Sequence, residues 1–200
     1  KARDRSTLYR VDLLWGQAGF QACEVNADCP GGHNEALGLP LLSQAAGFWS
    51  GINPTTLLAS LCDALIDLTR GEGAIALLYA TAYAEDLQVC ALIQRELTRR
   101  GATALLASPT SLRRKGAGLC IGKQRVSVLY RYFPTEYMEG QQNLGEIVRA
   151  ISARRVKTLS SFAQIYPQSK LAFARTFALR DTLPAADADA VTRHMPATFL

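Results

Sequence analysis

The chain has 200 residues, of which 48% are hydrophobic and 20% charged, and its formal net charge is +5. This composition is typical of a folded protein with a substantial core in one or two domains, and it excludes a disordered chain. The longest apolar run, around residues 74–80, is too short to span a membrane, so no membrane partner is expected.

Basic residues occur in short clusters, such as Arg113-Arg114-Lys115 and Arg154-Arg155, without regularly interleaved aromatic side chains. A nucleic-acid interface would need a basic face with stacking platforms, so we interpret these clusters as solvated loops and helix ends. The five cysteines are odd in number and lack short paired spacings, which indicates neither a disulfide framework nor a zinc site. A reducing, cytoplasmic location is therefore expected.

The first predicted element is a β-hairpin near the start of the sequence. Because side chains alternate along a strand, every second residue shares a face. One face of the hairpin would carry Arg10, Asp12, Leu14, Phe20, Ala22, Glu24 and Asn26. A three-residue loop that closes on Gly19 in the left-handed conformation is expected to join the strands. In that register Asp12 faces Glu24, and Arg10 lies opposite Asn26.

The polar residues on this face predict a magnesium-phosphate site. Two carboxylates and an amide are the hard oxygen ligands that Mg²⁺ prefers, usually shared with substrate phosphates. The Arg10 guanidinium fits phosphate oxygens as a fork and stays charged at any working pH. The alternative is a half-exposed hairpin with ordinary surface charges. Against it stand the poor strand propensity of Asn26 and the Pro-Gly-Gly turn that follows.

The pattern Arg-x-Asp followed by Glu-x-Asn resembles the second half of the ATP-grasp nucleotide site. The resemblance implies that Asp12, Glu24 and Asn26 bind the magnesium ions that bridge the phosphates of ATP. It also implies that Arg10 is a catalytic residue that contacts the transferred phosphate. ATP and Mg²⁺ are therefore the expected cofactors.

In ordinary ATP-grasp enzymes this hairpin comes near the end of the chain, whereas here it comes first. The segment EVNADCPGGHNEA and the α/β pattern after it resemble the circularly permuted ATP-grasp group that includes glutathionylspermidine synthase. That group tends to have Asp-Thr-Pro-Thr where this chain has Asp28-Cys29-Pro30-Gly31, so glutathione and spermidine are poorly supported as substrates. No glycine-rich loop with a following lysine pair occurs in residues 1–200, so this chain alone is expected to lack ATP turnover.

Further candidates for substrate binding are Asp28, Gly31, Gly32, Glu35 and Arg131. Gly31 and Gly32 could let backbone amides approach a phosphate, or serve a turn that needs positive φ. Glu35 could bind an amine or cap the helix expected after Gly32. Arg131 lies at a strand end where α/β sheets bind ligands, or pairs with a surface carboxylate. His33, in the same loop, is expected to be exposed to solvent.

Asn53 and Pro54 predict a helix start, with Asn53 as N-cap and Pro54 at the first helical position, and the helix is expected to end near Gly71. Apolar runs and helical periodicity then predict alternating strands and helices. The expected elements are strands at 74–79, 102–107, 126–133 and 156–159 and helices at 85–99 and 144–153. The first strand, helix and strand form a βαβ unit, which is expected to be parallel and right-handed.

The sequence therefore predicts an α/β fold with an ATP-grasp-type β-hairpin subdomain and a Rossmann-like, pre-ATP-grasp βαβ subdomain with parallel strands. Residues 1–52 are expected to hold the hairpin and the substrate loop, and residues 53–70 a connecting helix. The α/β subdomain is expected at 71–160. Residues 161–200 would form a helical segment leading to an ATP-binding half beyond this sequence.

The predicted function is that of an ATP-dependent carboxylate-amine ligase, which the resemblance implies to work through an acylphosphate. Its partners would be small-molecule or peptide carboxylates and amines. The alternative is a non-catalytic binding module or an inactive ATP-grasp homologue. A Rossmann-like nucleotide-binding protein is disfavoured, since no Gly-x-Gly-x-x-Gly follows residues 74–79.

Overall fold

The computed structural model describes residues 8–17, 19–48, 51, 53 and 55–199. The strands are β1 (Arg10–Gly16), β2 (Gly19–Asn26), β3 (Ala74–Tyr79), β4 (Ala104–Ala107), β5 (Arg113–Lys115), β6 (Gly118–Ile121), β7 (Gln124–Tyr132) and β8 (Lys157–Thr158). The helices are α1 (His33–Ala45), α2 (Thr56–Thr69), α3 (Ala84–Arg99), α4 (Thr135–Met138), α5 (Leu144–Ser152), α6 (Lys170–Ala178) and α7 (Ala185–His194). Within the described part of the chain, no helix is long and apolar enough to cross a membrane.

The described residues form two compact units. The first, which we call the α/β unit, comprises residues 31–159, and the second, the hairpin unit, comprises residues 8–30 and 160–199. This division runs differently from the expected domains at 1–52 and 53–70, because residues 31–70 belong to the α/β unit. The C-terminal helices α6 and α7 belong to the same unit as the hairpin.

The α/β unit is built on a six-stranded sheet in the order β4-β3-β7-β6-β5, with β8 also paired to β7. β3 runs parallel to both β4 and β7, and β8 runs parallel to β7. β5 and β6 add an antiparallel hairpin to the same sheet. The predicted α/β class is therefore confirmed, and so is the parallel pairing of the two strands that flank α3.

Strand β3 lies in the core of the α/β unit. Residues 74–78 are all fully buried, which is typical of a parallel strand covered on both faces and explains its continuous apolar sequence. α2 contributes Leu61 and Leu65 to the core, and α3 contributes Ile93 and Leu97. These residues recur at intervals of four, so each helix buries one face, as the leucine periodicity of α2 predicts.

Two local expectations differ from the structure. The cluster Arg113-Arg114-Lys115, expected in a loop or at a helix end, forms the exposed strand β5. α2 begins later than expected, and the Asn53 Oδ1 accepts hydrogen bonds from the backbone N–H of Thr55 at 3.0 Å and from its hydroxyl at 2.8 Å. Pro54, expected at the first helical position, lies outside the described residues. The helix ends before Gly71, as predicted.

Gly73 lies just before β3 and close to β7. Its φ is +69°, and a Cβ atom at this position would lie 3.0 Å from the Ser127 Cβ and 3.3 Å from the Arg125 carbonyl oxygen. Gly71 has a similar φ of +78°, but open space surrounds the position of its Cβ. Both glycines therefore have a positive φ, which disfavours a side chain. Only at Gly73 do atoms of β7 also lie close to the position of an added Cβ atom.

We expect Gly73→Ala to lower the free energy of unfolding more than Gly71→Ala does. Both substitutions place a side chain in the left-handed region, which costs about 1–2 kcal/mol. Only at Gly73 must β7 also shift, which adds about 1–3 kcal/mol. Urea unfolding of the two variants measures the difference, and equal losses would show that β7 does not constrain residue 73.

Candidate functional site

The register of the hairpin agrees with the prediction at its open end. Arg10 pairs with Asn26. Asp12 pairs with Glu24. The four polar residues therefore share one face of the two-stranded sheet. The register then shifts, which leaves Cys23 as a β-bulge, and the Cys23 thiol donates to the Asp12 carbonyl oxygen over 3.3 Å.

Because of the bulge, the alternation of side chains in the part of β2 nearer the loop is out of phase with that in the rest of the strand. Leu13 pairs with Ala22, and Trp15 pairs with Phe20, so Phe20 and Ala22 lie on the face opposite Glu24. The prediction that these two residues share a face with Glu24 is wrong. The Trp15 and Phe20 rings contact each other edge to face, with centroids 4.6 Å apart.

The loop of the hairpin is also shorter than expected. Gly16 pairs with Gly19, so the paired strands extend further toward the loop than a three-residue loop would allow. Gly19 has a φ of +91° and is in the left-handed region, as predicted. Ala18 lies outside the described residues.

Arg10 and Asp12 form a two-point ion pair on the polar face. The Arg10 Nε donates to the Asp12 Oδ1 at 2.8 Å, and Nη2 donates to Oδ2 at 3.2 Å. The hydrogen bond from Arg10 is the main reason that the pKa of the Asp12 carboxyl is below its usual range. Both side chains are more than a third exposed, so Asp12 is a charged carboxylate accessible from solvent.

Asn26 links this pair to Glu24. With its amide oriented to satisfy both neighbours, Nδ2 donates to the Glu24 Oε1 at 3.0 Å and Oδ1 accepts from the Arg10 Nη2 at 2.9 Å. The Asn26 amide thus bonds to Glu24 directly and is linked to Asp12 through Arg10. This continuity requires the register in which Asn26 lies opposite Arg10.

Helix α6 supplies a cation that sequence reasoning missed. The Ser169 Oγ accepts from the backbone N–H of Leu171 and caps the helix, which makes Lys170 its first residue. The Lys170 Nζ donates to the Cys23 carbonyl oxygen at 2.8 Å and to the Glu24 Oε2 at 3.1 Å. Lys170 and Glu24 are 146 residues apart in the sequence, so no local pattern identifies this contact.

We call Arg10, Asp12, Glu24, Asn26 and Lys170 the hairpin cluster. Its two cations and two carboxylates give it no net charge. Its oxygen donors suit Mg²⁺ in type, but a free metal ion would have to compete with the guanidinium and the ammonium for the carboxylates. No group of three or more His, Cys, Asp or Glu residues that could hold a metal occurs among the described residues. A magnesium ion here therefore needs the Asn26 amide and ligands from outside the protein.

The other predicted site residues lie in different environments. Asp28 is 1% exposed, and its backbone N–H donates to the Gln168 Oε1 at 3.0 Å within the hairpin unit. Arg131 is 2% exposed, and its Nη1 donates to the Phe133 carbonyl oxygen at 2.6 Å within the α/β unit. Arg131 is therefore a buried side chain, and its role in substrate binding stays a prediction.

Gly31, Gly32 and Glu35 lie at the start of α1. Gly32 is the residue that precedes the helix and has a φ of +90°, so the turn itself requires glycine at this position. Glu35 lies in the first turn of the helix, where a negative charge is favourable beside the free backbone N–H groups. These observations fit the structural alternatives that the sequence left open.

His33 is buried, so the expectation of a solvent-exposed histidine is wrong. It is 4% exposed, and its Nε2 lies 3.3 Å from the Tyr130 hydroxyl. Its ring packs edge to face on Tyr132, with centroids 5.6 Å apart. The Nδ1 atom has no hydrogen-bond partner among the described residues. Burial lowers the pKa of His33 from 6.5 to about 4, so the ring is neutral near pH 7.

Comparisons with known proteins support the fold. No protein-family model matches this chain, and no curated protein matches its sequence. A solved structure of a glutathione synthetase-like effector from Globodera pallida, in its apo form, is similar to 94% of this chain with a TM-score of 0.66 and 15% sequence identity. The chain spans about half of that protein, 47% of its length.

The likeness and the two sheets confirm the predicted α/β class with a small antiparallel hairpin, and they show that the fold is similar to that of a glutathione synthetase-like protein. The ATP-grasp assignment of this chain stays a prediction. At this level of identity the likeness shows the fold alone. The finer expectation of a circularly permuted, glutathionylspermidine synthase-like chain stays a prediction.

We expect the stability of the protein to fall as the pH decreases from about 6.5 to about 4, because the unfolded chain takes up a proton at His33 in this range and the native state does not. The loss amounts to about 3 kcal/mol at most. His33→Gln should flatten this part of the pH dependence in urea unfolding. The chain has one other histidine, His194, which is exposed, and His194→Gln is the matched control. An unchanged pH profile in His33→Gln would contradict the role of this ring.

Proposed function

We propose that this chain supplies the metal-phosphate part of an ATP-dependent carboxylate-amine ligase that works through an acylphosphate. Two observations support the proposal: the glutathione synthetase-like fold, and the arrangement of the hairpin cluster. The cluster carries the argument, because it places an arginine, two carboxylates and an amide on one accessible face. The particular carboxylate and amine substrates, whether small molecules or peptides, follow from the resemblance only.

Each residue of the cluster has a proposed role. Asp12, Glu24 and Asn26 would hold Mg²⁺ through their side-chain oxygens, which are hard donors of the type this ion prefers. Arg10 would bind the transferring phosphoryl group through its planar fork. When bound, Mg²⁺ neutralises charge on the phosphates of ATP. The work of the protein residues is then to position that phosphate and to stabilise its charge.

The charge balance of the cluster favours a metal-phosphate complex over the metal alone. Arg10 forms an ion pair with Asp12, and Lys170 forms one with Glu24. A phosphate would offer both cations new anionic partners and so free the carboxylates for the metal. Exchange of partners of this kind keeps every charge compensated, whereas a free Mg²⁺ ion would displace two cations without replacing their partners.

The second candidate function is that of a non-catalytic binding module with an ATP-grasp-type fold. The observation that favours it is the internal pairing of the cluster, in which every charged group already has a partner. A surface network of this kind can join β1, β2 and α6 without binding any ligand. The two functions differ in whether the carboxylates can be released, and binding measurements separate them.

We expect the chain to bind Mg²⁺ with ATP together more tightly than either alone. Glu24→Gln removes a metal ligand and should weaken the binding of the complex by about tenfold or more, the effect of losing one charged contact. Isothermal titration calorimetry with Mg²⁺, with ATP and with both measures this. Asp187→Asn, at an exposed carboxylate of the hairpin unit, is the control for the loss of one negative charge. Equal affinities for Glu24→Gln and Asp187→Asn would favour the non-catalytic module.

Arg10→Lys should impair phosphoryl transfer more than ATP binding, because an ammonium keeps the charge but loses the planar fork. In a polypeptide that contains this chain and turns over ATP, the variant should lower kcat with a smaller change in KM. Arg175→Lys, at an exposed arginine of α6, is the control. An unchanged kcat with only a higher KM would remove Arg10 from the transfer step.

A further inference from the structure

A surface cavity of about 340 Å³ lies in the α/β unit, and none of its lining residues belongs to the hairpin cluster. Four cationic side chains line it, from Lys115, Lys123, Arg125 and Arg155, and Leu119 and Cys120 are buried at its base. No carboxylate belongs to its lining. We call it the basic cavity.

The strand register explains why the cations share this place. β6 pairs with β7 on one side and with β5 on the other. Cys120 of β6 pairs with Arg125 of β7, and Gly118 of β6 pairs with Lys115 of β5. Cys120 and Gly118 are two residues apart on one strand, so all four residues face the same side of the sheet. Gly118 has no side chain, which leaves space beside Lys115.

Two turns complete the ring of charge. Lys123 lies in the tight turn between β6 and β7, next to Gly122, whose φ is +56°. Arg155 follows Arg154, whose φ of +55° turns the chain between α5 and β8. The cations thus come from β5, from the β6–β7 turn with the start of β7, and from the segment before β8, which a simple solvated charge run would not produce.

The cations of the basic cavity are poorly compensated within the protein. Arg125 meets Glu72 at 3.5 Å, but both side chains are about two-thirds exposed or more, so the pair is weak. Lys115, Lys123 and Arg155 form no ion pair with any residue that the structure describes. Lys115 and Arg125 lie on the two strands that flank β6. Like charges gathered in one place repel each other, so this arrangement favours an anion from outside.

We propose that the basic cavity binds a compact anion with at least two phosphoryl groups. Lysine and arginine bind phosphate oxygens through charge-assisted hydrogen bonds. A monoanion would leave most of the four positive charges uncompensated. The volume lies near the lower end of the range for small-ligand sites. The lining has no aromatic side chain on which a nucleic-acid base could stack, so a nucleic acid fits less well.

The site is also at an unusual place for this class of fold. Arg125 is the second residue of β7, and Arg155 precedes β8, so the cavity lies near the amino ends of two parallel strands. Ligands of open α/β sheets usually bind beyond the carboxyl ends. The basic cavity is therefore separate from the edge at which such a sheet usually binds substrate, and its residues do not overlap with the hairpin cluster.

The test is calorimetric titration of the full 200-residue chain with tripolyphosphate in EDTA, so that no metal assists the hairpin cluster. The double variant Lys115→Ala/Arg155→Ala should lose about tenfold or more in affinity, since it removes two charged contacts. Arg95→Ala/Arg175→Ala removes two exposed cations outside the cavity and should match the wild type. Urea midpoints show whether each variant is folded. Equal affinities of the two double variants would overturn the proposal.

Further arms identify the source of the phosphoryl groups. Vesicles of phosphatidylcholine with phosphatidylinositol 4,5-bisphosphate test a lipid headgroup, and phosphatidylcholine alone is the control. Binding of either probe that is lost only in Lys115→Ala/Arg155→Ala supports the site and names its source. Binding to a single-stranded oligonucleotide alone would overturn it. The titration of Glu24→Gln with Mg²⁺ and ATP and the titration of Lys115→Ala/Arg155→Ala with tripolyphosphate in EDTA probe different residues with different ligands, so the two proposals fail independently.

Discussion

The β-bulge at Cys23 is the constraint on which the organisation of the hairpin depends. Without it, Phe20 and Ala22 would lie on the face of Glu24. The extra residue moves both to the face of Leu13 and Trp15. Apolar side chains then gather on one side of the hairpin, and the Arg10-Asp12 pair stays on the other. At the bulge Cys23 lies outside the regular pairing of the two strands, and its carbonyl oxygen accepts a hydrogen bond from the Lys170 Nζ.

The separation of faces leaves the charged groups of the hairpin cluster accessible from solvent. Its charges are half exposed, and ion pairs of this kind contribute little to stability. Weak pairs can exchange partners readily, which a metal-phosphate site requires. A buried ion pair would hold its carboxylates more firmly, since breaking it would leave an uncompensated charge. The exposure of Asp12 and Glu24 is therefore consistent with ligand exchange at this face.

Sequence patterns predicted the elements that depend on local rules. The apolar run at 74–79 became β3 with the same bounds. The predicted pairing of Asp12 with Glu24 assumed a longer loop and no bulge, and it holds because the shorter loop and the bulge offset each other. The bulge had a signal that was missed: apolar residues of β2 occupy positions 20 and 22 and then 25, so the alternation changes phase near Cys23. The burial of His33 had no such signal, because it depends on the packing of α1 near Tyr130, 97 residues away.

The two charged sites show how the excess of positive charge is distributed. In the hairpin cluster Arg10 and Lys170 each meet a carboxylate, so the cluster adds nothing to the net charge of +5. In the basic cavity Arg125 meets Glu72 at 3.5 Å, and the other three cations form no ion pair with any residue that the structure describes. A cluster without net charge favours ligands that bring both a cation and an anion, whereas an uncompensated one favours a bare anion. The contrast therefore predicts different ligand chemistry for the two proposed sites.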